Sequence, residues 1–96
     1  FMLKFEWNQA KARQNLLKHR LSFTEASTVF KDEYALLYFD PDHSAKEERY
    51  ILLGLSVSGL PCVVCFTEKQ PDILRIISAR KATKQEALDY LKGRKK

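Results

Sequence analysis

The alternation of apolar and polar positions divides the chain into helical ends around a strand-rich middle. After a short extended piece from Leu3 to Trp7, Asn8 is a good N-cap, and Trp7, Ala10, Gln14 and Leu17 recur at near-helical spacing. This predicts a helix over about residues 9–19. Ser22-Phe23-Thr24-Glu25 has the form of a capping box, Leu21 can staple onto Ala26, and Phe23, Ala26 and Phe30 make one apolar stripe, so a second short helix runs to about Phe30. Tyr34 to Phe39 is apolar and aromatic and reads as a strand, and Asp40-Pro41-Asp42-His43-Ser44 is a loop of turn residues. From Glu48 to Leu55 the positions Ile51, Leu53 and Leu55 share one face, and Ser58-Gly59 turns the chain into a strand from Leu60 to Glu68. Gln70-Pro71-Asp72 makes the next turn, before a strand from Ile73 to Ala79. Thr83-Lys84-Gln85-Glu86 repeats the capping-box form, and Ala87, Leu88 and Leu91 supply the stripe of a last helix ending near Gly93.

The order β–α–α–β–β–β–β–α describes an α+β domain: a mostly antiparallel sheet of four to five strands, two N-terminal helices and one C-terminal helix, with the helices on one face. Ninety-six residues suit one domain over 1–96. With 45% hydrophobic and 30% charged residues, 3 Gly and 3 Pro, the composition is that of a globular chain, far from disordered or collagenous classes. The longest uncharged run, Ile51 to Phe66, is broken by Gly54, Gly59 and Pro61, so no membrane span is expected, and no cleavable signal segment is seen. Cys62 and Cys65 lie in one strand and should point to opposite faces, which argues against a disulfide between them and fits a reducing cytoplasm.

The distribution of charge is more informative than its net value of +5. Residues 1–20 carry five Lys and Arg against Glu6, residues 21–74 four against nine acids, and residues 75–96 eight against Glu86 and Asp89, for local charges of +4, −5 and +6. Basic ends around an acidic middle can build one positive face, which favours a phosphate-bearing partner. On the first helix Lys11, Asn15 and Lys18 form a polar stripe with His19 beside it, while Arg75, Arg80, Lys81 and Lys84 cluster around the last strand. A buried Arg75 would need an acid, for which Glu68 and Glu48 are the candidates. Glu48, Arg49 and Tyr50 put a carboxylate, a guanidinium and a phenol close together at a strand start. Phosphate loops, zinc-type cysteine pairs and nucleophile elbows are missing from the sequence. Asp40, Asp42 and His43 lack a recognised coordinating count, so neither metal nor cofactor is expected.

Taken together, several segments resemble the BrnT family of bacterial toxins. They are Phe5-Glu6-Trp7, Lys11, Asn15, Lys18-His19, Ser22 to Ala26, Asp40 to Ser44, Glu48-Arg49-Tyr50, and the run Arg75-Ile76-Ile77-Ser78-Ala79-Arg80 followed by Glu86 and Tyr90. The resemblance covers almost the whole chain. Two positions depart from the family pattern: Asn8 stands where relatives often have Asp, and Arg20 where they have Gly. A left-handed Arg20 would cost about 1 kcal/mol relative to Gly.

The resemblance implies a compact RelE-like ribonuclease that cleaves RNA, inhibits translation and is held inactive by a BrnA-like ribbon-helix-helix antitoxin, which supplies any DNA binding of the complex. Cleavage without a metal needs a base for the 2′-hydroxyl, an acid for the leaving 5′-oxygen and cations for the phosphate. Arg75, Arg80 and Arg49 are the expected phosphate stabilisers, and His19, or Glu48 in a partly dry site, the base or acid. Lys11, Asn15, Lys18, Lys81, Lys84 and Tyr90 are the expected RNA contacts. The competing expectation is a non-catalytic basic module that engages an antitoxin or nucleic acid, with its arginines paired to acids.

Overall fold

A computed structural model describes residues 2–43 and 45–94. Ser44 of the predicted loop and Lys95 and Lys96 of the basic segment 75–96 therefore lie outside the described residues. The elements are β1 (Lys4–Glu6), α1 (Gln9–His19), α2 (Phe23–Thr28) with a 3-10 turn over Val29–Lys31, β2 (Leu36–Asp40), a 3-10 turn over Pro41–His43, β3 (Arg49–Leu55), β4 (Pro61–Gln70), β5 (Ile73–Lys81) and α3 (Lys84–Arg94). The strands form one sheet in the order β1-β5-β4-β3-β2, antiparallel except for the parallel β1–β5 pair. The fold is α+β, as expected.

Local chemistry accounts for the element boundaries. Asn8 Oδ1 accepts the Lys11 N–H at 3.0 Å and starts α1. Arg20 ends it in a left-handed conformation, φ 56°, so the glycine substitution carries the cost anticipated above. The β3–β4 hairpin turns with Gly59 at φ 81°, its N–H bonded to Ser56 O. Of the two capping boxes only the second is complete: Glu86 N–H bonds Thr83 Oγ1 at 3.1 Å and Thr83 N–H bonds Glu86 Oε1 at 2.9 Å. At the first, Ser22 caps Glu25 N–H, but the Glu25 carboxylate instead accepts the hydroxyls of Ser56 and Ser58 in the β3–β4 turn. Those two bonds hold the Glu25 carboxyl below its ordinary range.

The helices occupy both faces of the sheet, a correction to the expected single face. Leu21, Phe23, Ala26 and Val29 pack with Leu52, Val64, Phe66 and Ile76 on one face. Tyr90 of α3 packs with Leu53 and Val63 on the other, beside Ile51 and Leu55 as their alternation predicts. The buried stripes of α1 and α3 also differ from expectation. Leu17 is 84% exposed and α1 turns Ala12 and Asn15 inward, while Leu88 and Leu91 of α3 are exposed and Tyr90 is buried.

Between Cys65 and Phe66 the β4–β5 register slips, Cys65 pairing Ser78 and Phe66 pairing Ile76, so Ile77 is the extra residue of a bulge. The bulge lets Ile76 and Ala79 share the core face while Ile77, Ser78 and Arg80 line the opposite side. That side is only partly covered by α3, and its open portion holds the candidate site.

Candidate active site

The open part of the sheet is the floor of a cleft of about 490 Å³, with Ile51, Val63, Cys65, Ile77 and Ser78 contributed by β3, β4 and β5. Its polar rim comprises Lys18 and His19 from the end of α1, Asp40 from the end of β2, His43 from the 3-10 turn that follows it, Arg49 of β3 and Arg80 of β5. Arg49 also lines a smaller neighbouring cavity of about 100 Å³ with Lys11 and Arg75. Cationic side chains distant in sequence thus line two cavities that share Arg49, with Lys18 and Arg80 in the larger and Lys11 and Arg75, beside Glu47, in the smaller. This arrangement can hold a polyanionic backbone and concentrate positive charge on one phosphate.

The position of α1 is set by Asn15. Its Nδ2 donates to Leu21 O at 3.1 Å and Ala79 O at 2.7 Å, and its Oδ1 accepts the Ala79 N–H at 3.1 Å. The buried amide thereby replaces a neighbouring strand along the part of β5 that β1 does not pair, and it brings Lys18 and His19 to the cleft. Its polar atoms are occupied within the fold, which gives the expected RNA contact a structural role instead.

Both β5 arginines have acidic partners, and that of Arg75 is not one of the two anticipated. Arg80 makes a two-pronged pair with Glu86, Nη1 to Oε1 at 2.7 Å and Nη2 to Oε2 at 2.9 Å. The guanidinium holds the Glu86 carboxyl down at about 2, against burial, which works the other way. Arg75 meets Glu6 across the parallel β1–β5 register, Nε to Oε2 at 3.4 Å, rather than Glu68 or Glu48. Three N–H groups of Arg80 are engaged, two by Glu86 and one by Lys81 O. The five-donor fork keeps donors for a ligand.

Four other candidates fall outside the cleft. Glu48 accepts the Tyr50 hydroxyl at 2.8 Å and lines a separate surface depression with Glu47, Glu68 and Lys69. Tyr90 is 1% exposed, and its hydroxyl donates to Asp32 Oδ2 at 2.6 Å, so its ring is core and not a stacking platform. Burial and this bond push the Tyr90 phenol up to about 12. At Asp32 burial opposes ionisation, but the Leu55 N–H, the Tyr90 hydroxyl and the Tyr34 N–H prevail and its carboxyl lies below the ordinary range. Lys81 and Lys84 are exposed where β5 gives way to α3, outside the cleft lining.

The sequence reading weighed the turn after β2 only as a metal site and paired none of its side chains. His43 Nδ1 and Asp40 Oδ2 are 2.9 Å apart. The Asp-Pro-Asp-His string was the available signal, since a turn closing over three residues brings its ends together. The floor thiol of Cys65 is pushed up by burial, partly offset by Arg49, and both cysteines are free and on opposite faces. Among the described residues no group of three or more His, Cys, Asp or Glu is placed to hold a metal, and no helix is long and apolar enough to cross a membrane.

The fold has a solved counterpart. The crystal structure of the Brucella abortus ribonuclease toxin BrnT superposes with a TM-score of 0.66 at 22% identity, covering 86% of this chain and all of that one. At that identity the likeness concerns the fold. No curated protein matches. Residues 7–86 match the family described as "Ribonuclease toxin, BrnT, of type II toxin-antitoxin system". That match spans both walls and the floor of the cleft, and the chain belongs to the BrnT family of ribonuclease toxins.

Proposed function

We propose that the chain is a metal-independent endoribonuclease that cuts RNA in the cleft by attack of the substrate's own 2′-hydroxyl, inhibits translation in the cytoplasm, and is neutralised by a BrnA-like ribbon-helix-helix antitoxin. The observation that carries the reading is that His19, Lys18, Arg49 and Arg80 line one open cleft in a family of ribonuclease toxins.

In the proposed reaction the P–O2′ bond forms as the 2′-hydroxyl loses its proton, the P–O5′ bond breaks, and the 5′-oxygen receives a proton. The products are a 2′,3′-cyclic phosphate and a 5′-hydroxyl. His19 is one proton-transfer group, histidine being suited to give or take a proton near neutral pH. Glu48, outside the cleft, has no part in the step. Arg49, Arg80 and Lys18 stabilise the charge that builds on the non-bridging oxygens, and Lys11 and Arg75 hold a flanking phosphate. The antitoxin covers the same cations, so RNA and antitoxin exclude one another.

A second reading, a basic module that binds without cutting, draws on the acidic partners of Arg75 and Arg80. Incubating the purified protein with a defined RNA in EDTA separates the two. The enzyme yields discrete fragments and loses at least about 10²-fold in rate on Arg49→Ala. Retention of intact RNA supports the module and overturns the enzyme.

A further inference from the structure

We propose that His43 is the second proton-transfer group of the cleft and that Asp40 is its positioning residue, an inference that rests on the ribonuclease reading above. An in-line displacement places the attacking and leaving oxygens on opposite sides of phosphorus, so the group that takes one proton and the group that gives the other should stand on opposite sides of the bound phosphodiester. With Glu48 outside the cleft, His19 alone leaves one of these positions empty.

The fold supplies a second imidazole at that place. His19 reaches the cleft from α1, which runs along β5, whereas His43 follows β2 on the far edge of the sheet. Three inter-strand intervals separate β5 from β2, roughly 14 Å at about 4.8 Å each, enough to seat a sugar-phosphate unit between the two walls. Asp40 and His43 have the form of an oriented acid–base group. The Asp40 side chain is 13% exposed and sits at the end of β2 opposite Arg49, and the 3-10 turn over Pro41–His43 folds the imidazole back onto it. A carboxylate only accepts, so Nδ1 carries the hydrogen of the 2.9 Å bond and Nε2 is left for the substrate. The His43 side chain is 66% exposed, an exposure a purely structural pin does not need but a group that meets a ligand does. The other charged groups facing it across the cleft are Lys18, His19, Arg49 and Arg80.

The test measures RNA cleavage in EDTA from about pH 5 to 9, where histidines titrate, for the wild type, His43→Ala, Asp40→Asn and His19→Ala. The wild type should give a bell-shaped profile. His43→Ala should be slower by at least about 10²-fold, lose one limb of the bell, melt within a few degrees of wild type and recover part of its rate with added imidazole. Asp40→Asn, which keeps His43 but not the negative charge that orients it, should shift that same limb. Wild-type-like cleavage by His43→Ala while His19→Ala is crippled would overturn this inference and leave the ribonuclease reading intact. So would a slowed His43→Ala that retains both limbs. Absence of cleavage by the wild type would remove both.

Discussion

Replacing Asn15 by Ala tests whether that amide holds the fold or reads RNA. The substitution removes three hydrogen bonds and leaves the N–H and C=O of Ala79, a residue 1% exposed, facing a gap. β1 pairs β5 only from Ile73 to Arg75, so no strand takes over along this stretch. Each orphaned buried group costs about 1–3 kcal/mol, which for the two groups of Ala79 amounts to about 2–6 kcal/mol. Against a domain stability of about 5–15 kcal/mol, that is a large fraction. It should lower the melting temperature by roughly 10 °C or more in a chain of this size. Asn15→Asp should also destabilise, because the carboxylate keeps an acceptor for the Ala79 N–H but presents oxygen to the carbonyls of Ala79 and Leu21. Thermal and urea melts followed by circular dichroism measure both effects. If Asn15→Ala melted with the wild type yet lost RNA cleavage, the structural assignment would be wrong and Asn15 would belong to the substrate-binding surface.

Tyr90→Phe should cost about 1–2 kcal/mol by removing the hydroxyl bond to Asp32, with cleavage unchanged at temperatures where the variant is folded; lost activity at unchanged stability would restore the ring to the RNA surface. The carboxyl of Glu86 is lowered in the folded state to about 2, so the stability it contributes is present above its unfolded value near 4.5 and is lost as pH falls from there toward 2. Glu86→Gln should therefore flatten that part of the stability–pH curve, and an unaltered acid limb in urea melts would contradict the pairing. Arg80→Ala and Arg75→Ala should each slow cleavage by at least about 10²-fold while shifting the melt by only a few degrees, because both ion pairs are substantially exposed; unfolding of either variant would favour the ion-pair role instead. Raising salt should weaken the antitoxin complex without abolishing it, since α1, which carries Lys18 and His19 to the cleft, also leaves the apolar side chain of Leu17 exposed; complete dissociation in a salt titration by calorimetry would show the interface to be charge alone.

Helix spans were legible in the sequence because they depend on local chemistry: Asn8 caps α1, and the reciprocal Thr83–Glu86 box starts α3. The faces of those helices depend on distant partners and were not legible. Asn15 looks like a wet-face residue until the unpaired edge of β5 is placed beside it, and Tyr90 takes the core position in place of Leu88 and Leu91, its hydroxyl finding a part-buried acceptor in Asp32. The placement of α3 opposite α2 followed from the alternation of Leu52 with Leu53 and of Val63 with Val64, each pair serving both faces. At the site, the cationic residues could be named from composition and resemblance, but not their convergence. Only the strand order brings β2 and the end of α1 to two sides of one cleft, which admits His43 and leaves Glu48 outside.

The central claim, cleavage by the RNA's own 2′-hydroxyl without a metal, is tested most directly with a single-atom change in the substrate. After the cleavage site on a defined RNA is mapped in EDTA, the same RNA is made with one 2′-deoxyribose on the 5′ side of the scissile phosphate. The account predicts 2′,3′-cyclic phosphate and 5′-hydroxyl ends from the unmodified RNA and no cut at the modified linkage. Cleavage that persists at the deoxy position, or that appears only when a divalent ion is supplied, would contradict it.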